Sequence, residues 1–111
     1  SDVCSSDLKG AEKQFQDVVD SAPADMASVA TMALAQTLDA DGKGADAEKL
    51  LKNLSEHPTA LVSKEQALLE LGSMVGKRNK AEGEKILSGL SNSRAAVAQS
   101  VVSALGALTN N

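Results

Sequence analysis

The 111-residue chain is 42% hydrophobic and carries a formal net charge of −4, with one aromatic residue (Phe15), one cysteine (Cys4) and one histidine (His57). Without Trp, Tyr or a basic excess it lacks the stacking platforms and phosphate-neutralising charge of nucleic-acid binders. No window approaches about 18 uninterrupted apolar residues, a lone cysteine closes no internal disulfide, and a lone histidine anchors no His-based metal site.

What remains is a single soluble domain. Its first eight residues, Ser1-Asp2-Val3-Cys4-Ser5-Ser6-Asp7-Leu8, show neither helical nor strand period. They resemble the translation of a common short-read sequencing adapter and are set aside as an artefact, leaving 9–111 as the domain. Removing Asp2 and Asp7 leaves 13 acidic against 11 basic residues, a net charge of −2. The only cysteine goes with them, and a cysteine-free remainder suits either side of a bacterial membrane. On this reading the natural N-terminus is missing and the chain is a piece of a longer array.

Six helices are expected, at 9–21, 25–40, 44–56, 63–76, 80–90 and 94–108. The first carries Ala11, Phe15 and Val18 on one face. The second carries Val29, Ala30, Ala33, Leu34 and Leu38, and the third Ala47, Leu51 and Leu54. The fourth opens on a capping box, Ser63 with Gln66, and continues through Ala67, Leu68, Leu71 and Val75. The fifth carries Gly83, Leu87 and Leu90, and the last Val97, Val101, Val102, Leu105 and Leu108. Turn signals fall between them at Ala22-Pro23, Asp41-Gly42, His57-Pro58, Gly76-Lys77 and Ser91-Asn92-Ser93.

The odd-numbered helices repeat one another at steps of 36 residues: Gly10-Ala11-Glu12-Lys13, Asp46-Ala47-Glu48-Lys49 and Glu82-Gly83-Glu84-Lys85. Each continues with a large apolar residue four positions after the small one and another three further on. That spacing puts all three side chains on one helical face, where the small residue admits a neighbouring helix closely.

A small residue, an apolar one four on, another three further and a proline shortly after resembles the second helix of a tetratricopeptide repeat. It is met as Ala11, Phe15, Val18, Pro23 and as Ala47, Leu51, Leu54, Pro58. Leu34-Ala35 with Leu38 and Gly42, and Leu71-Gly72 with Val75, resemble the first helix of that repeat. The likeness spans nearly all of 9–108. Thr31 and Leu38 stand where aromatics are usual, the period exceeds the usual of about 34, and Gly83 replaces alanine. The Ala/Leu-rich, aromatic-poor style, with His57-Pro58-Thr59 and Val62-Ser63-Lys64-Glu65-Gln66-Ala67 between repeats, is similar to tetratricopeptide-like proteins of the bacterial envelope. That group includes an ancillary subunit of the Sec translocon and cell-division coordinators, in which a membrane anchor precedes the repeats.

The resemblance implies an all-α fold, an α-solenoid of antiparallel helix pairs in a right-handed stack, whose concave face binds protein or peptide rather than performing catalysis. It implies no cofactor, a place in the bacterial envelope rather than the cytoplasm, and membrane association only through a missing upstream anchor. The inner face is expected to present Met32, Gln36, Asp39, Gln66, Leu69 and Ser73. Lys and Asn are not at the positions that clamp a C-terminal carboxylate, so that mode of binding is not expected. Two rival roles are a regulatory or substrate-binding segment of a larger enzyme or secretion assembly, and a spacer whose groove binds nothing. The first helix lacks the partner that should precede it, so its Phe15, Val18 and Val19 surface is expected to be less covered.

Other constellations read as structural. Asp39-Ala40-Asp41-Gly42 with Glu48 satisfies part of a calcium-loop pattern, but such a loop would begin at Thr37 instead of an acid, and Gly44 falls where an apolar residue belongs. It reads as a plain turn. His57 suits a helix C-terminus beside free carbonyls. Lys77-Arg78-Asn79-Lys80 reads as a solvated loop, and Gly42-Lys43-Gly44 lacks the strand and spacing of a phosphate loop.

Overall fold

The computed structural model describes residues 5–90 and 95–109 and is all-helical there, with α1 Ser5–Ser21, α2 Ala24–Ala40, α3 Gly44–Glu56, α4 Lys64–Arg78, α5 Lys80–Leu90 and α6 Ala95–Thr109. Short connections join α1 through α5, and each of the six helices packs on the next, with α4 also meeting α6. The result is a stack of antiparallel helix pairs. Among the described residues no helix is long and apolar enough to cross a membrane.

Local chemistry sets most boundaries. After α2, Gly42 takes the left-handed region at φ 79°, which a glycine adopts without a Cβ penalty. The Lys43 N–H then donates to the Leu38 carbonyl at 2.8 Å, capping the end of α2. At the start of α4 the Gln66 N–H donates to Ser63 Oγ (3.1 Å) while the Ser63 N–H donates to Gln66 Oε1 (2.9 Å). This is the reciprocal box that the sequence predicts. The connection before it is tied to α2 by a 2.6 Å hydrogen bond between the hydroxyls of Ser28 and Thr59.

Two boundaries differ from expectation by more than one residue. α1 begins at Ser5, four residues earlier than expected, with Asp7 in its first turn, where a carboxylate favours the positive end of the helix. α4 runs through Gly76 to Arg78 instead of ending at Gly76. Gly76 marks a close approach, not a stop: a Cβ there would lie 2.8 Å from Leu108 Cδ2. The Ser91-Asn92-Ser93 turn signal, residues 1–4 and the Val97 and Val101 side chains lie outside what is described.

The core runs through the middle of the stack. Ala35, Ala47, Leu51, Leu71, Met74 and Val75 form its main cluster; Leu54, Val62 and Ala67 extend it toward the α3–α4 connection. Leu87 and Leu90 carry it to α6, where Leu105 and Leu108 cover them. Leu34, Leu54, Leu71, Leu87, Leu90 and Gly83 are buried as the repeat predicts. Ala11, Phe15 and Leu38 are only half-buried. Val18, expected in the core, is 38% exposed, because close packing of α1 among the described helices is with α2 alone. The α4–α5 crossing is tighter than any other glycine contact: a Cβ on Gly83 would collide with Gly76 Cα and come within 2.8 Å of the Gly72 carbonyl oxygen.

Candidate partner-binding grooves

Two grooves arise from the repeat. In the first, α1 and α3 form walls over a floor of Leu34, Leu38 and Leu50, enclosing about 520 Å³. In the second, α3 and α5 stand over Leu68, Leu71, Val75 and Ile86, enclosing about 580 Å³. The correspondence is residue by residue. Leu34 and Leu38 of α2 match Leu71 and Val75 of α4, and Leu50 matches Ile86. The same helix faces therefore make the same surface twice.

Charged side chains hold the walls in register. Glu12 of α1 accepts from Lys43 Nζ at 3.0 Å, and one repeat later Glu48 of α3 takes a bidentate contact from Arg78, at 2.7 and 2.5 Å. The second pair has the fork geometry that suits guanidinium and carboxylate. The Arg78 hydrogen bond holds the Glu48 carboxyl below its ordinary range, outweighing partial burial, which acts the other way. The Glu12 hydrogen bond likewise raises the Lys43 ammonium. Lys77 and Arg78 thus belong to the last turn of α4 instead of a loop; their side chains are exposed, as the sequence suggests, and each pairs with an acid. As cations at a helix C-terminus they also meet the negative end of the dipole.

The six residues expected on the binding face lie on the side of α2 and α4 opposite these two grooves. Met32 packs against the main core cluster, and Leu69 against Leu87 and Leu90. Gln36 Nε2 donates to Glu70 Oε1 at 3.1 Å, and Asp39 accepts from Lys77 Nζ at 3.1 Å, so both link α2 to α4. Gln66 serves the capping box. Ser73 is half-buried. Met32 and Gln36 are each two positions from the floor residue Leu34, and Gln66, Leu69 and Ser73 stand likewise to Leu68, Leu71 and Val75. Two positions on a helix are about 200° apart, so these side chains point away from the grooves. The structure does not gather the six around one cavity; of them, only Asp39 lines a described concavity, beside Glu48, Met74, Lys77 and Arg78 at the edge of the stack.

The acids of the calcium-like pattern are engaged with cations: Asp39 with Lys77, Asp41 with Lys43 at 3.5 Å, and Glu48 with Arg78. Among the described residues no three His, Cys, Asp or Glu side chains converge on a point where a metal could sit. His57 caps α3, its N–H donating to Asn53 and Leu54 carbonyls and its ring Nδ1 lying 3.1 Å from the Asn53 oxygen.

The groove residues that sequence reasoning passed over were visible in the repeat alignment. Lys13, Lys49 and Lys85 recur at one register as exposed lysines; the first two stand on the walls of these grooves, and Lys85 borders a separate concavity with Leu68, Ile86 and Leu90. The sequence shows that they are equivalent; only the packing of α2 and α4 shows that they border apolar floors. No family model matches the chain, and neither does any curated protein or solved structure.

Proposed function

We propose that this chain is a non-enzymatic protein-interaction or scaffolding module of tetratricopeptide type, the soluble part of a membrane-anchored bacterial envelope protein. The observation that carries the interaction role is the duplicated groove: an apolar floor between charged walls, made twice by equivalent residues of a helix-pair stack. Such a surface offers apolar burial and peripheral charge to a peptide, the usual composition of a helix-in-groove site. The repeat type and the envelope placement rest on the residues that resemble that family. The grooves move the proposed contact from the Gln36 face to the opposite side of α2 and α4.

Selection of a random peptide library on the folded chain, followed by NMR shift mapping, tests the role. Enriched peptides should perturb amides of the groove floors, around 34–38 and 68–75. Absence of enrichment, or perturbation confined to the Gln36–Glu70 side, would overturn the groove assignment. The intact reading frame tests the envelope placement: an upstream apolar segment of about 20 residues is expected, and a fused catalytic domain would replace this reading with that of a regulatory segment.

A further inference from the structure

We infer that the first groove is specific for an acidic amphipathic peptide. This deepens the interaction role proposed above and rests on it.

The two grooves share a floor but not a charge balance. In the second, Glu48 and Arg78 neutralise each other, and Lys49 and Lys52 share the lining with two further acids, Glu56 on the same helix and Glu82 on the other wall. In the first, Glu12 pairs with Lys43, which Asp41 shares, and Lys9 and Lys13 on α1 and Lys49 on α3 stand against the one other lining acid, Asp46. Lys9, Lys13 and Lys49 are exposed and, among the described residues, form no ion pair, whereas Lys43, Lys77 and Arg78 all do. A chain with an excess of acids thus places unpaired cations on both walls of one apolar-floored groove.

That arrangement complements a peptide with an apolar stripe flanked by carboxylates. The stripe covers Leu34, Leu38 and Leu50, and the carboxylates meet lysines on either side. The groove spans Lys9 to Gln16 on α1, roughly two helical turns, so a short segment fills it.

The test is fluorescence anisotropy of the full chain with three labelled peptides of about four helical turns. One is an amphipathic helix with Leu on one face and Glu on the other, one replaces Glu with Lys, and one scrambles the Glu peptide to destroy its stripe. The Glu peptide should bind about tenfold or more tighter than the other two and weaken with added salt. Lys13→Glu with Lys49→Glu should weaken it by about tenfold. Lys64→Glu with Lys80→Glu, the same change in net charge at exposed lysines outside this groove, should leave it within about twofold. Circular dichroism should show every variant equally helical. Equal binding of the Lys peptide, or equal weakening by both double variants, would overturn the proposal. So would a library that enriches only peptides mapping to the second groove, and there the broader interaction role would stand. Failure of every peptide in both experiments would remove that role as well.

Discussion

α1 and α3 carry the same pattern 36 residues apart, yet the fold treats them differently. On α3, Leu51 is fully buried and Leu54 is 7% exposed; on α1, Phe15 is half-buried and Val18 is 38% exposed. α3 is packed between α2 and α4, while close packing of α1 is with α2. An amphipathic pattern declares which face is able to be buried, and the number of neighbouring helices decides how much of it is. α5 completes the series: with α4 on one side and α6 on the other, its Leu87 is fully buried.

The largest test of this contrast is truncation at equivalent positions. Leu51→Ala should cost about 2–5 kcal/mol in urea denaturation, through lost burial and the cavity left behind, and Val18→Ala less than about 1 kcal/mol. Equal losses would break the contrast. Gly83→Ala sharpens it for the third copy. At that register Ala47 carries a fully buried methyl group, while a methyl on Gly83 meets the backbone of Gly72 and Gly76. Overpacking should cost about 1–3 kcal/mol, less the gain in helix propensity, and an unchanged melting temperature would mean that α4 and α5 separate freely. Amide exchange reads the same contrast without mutation: residues 10–20 should exchange faster than 45–55, and equal protection would count against it.

The smallest effect is electrostatic. The Arg78 contact lowers the Glu48 carboxyl in the folded state, so its contribution is present above the ordinary carboxylate range and is lost as pH falls below about 4. Arg78 is largely exposed, and solvent screening keeps the effect small. Glu48→Gln should shallow the acid limb of the stability profile and leave the neutral region nearly unchanged. An acid limb identical to that of the unmodified chain would show that the pair contributes nothing to α3–α4 docking.

Much of the fold was legible because helices are local. The period of Ala47, Leu51 and Leu54 and the Ser63–Gln66 box depend on residues within a few positions of one another, and α3 spans Gly44–Glu56 as expected. Gly76 misled because a glycine that admits a neighbour and one that ends a helix look alike in sequence; Leu108, 32 positions away, tells them apart. The candidate site was less legible for the same reason. That Gln36 meets Glu70, and that Lys77 is joined to Asp39, depends on residues more than 30 positions apart.

The sequence by itself therefore determined six helices, the Ser63–Gln66 cap and the buried faces of α3 and α5, since hydrogen bonding and periodicity along one helix need no distant partner. Tertiary structure alone decided which copies of the motif are enclosed, which cations are spent on ion pairs and which side of α2 and α4 becomes a groove. Those outcomes depend on how many helices meet at one place, and equivalent residues in successive repeats do not have equivalent neighbours.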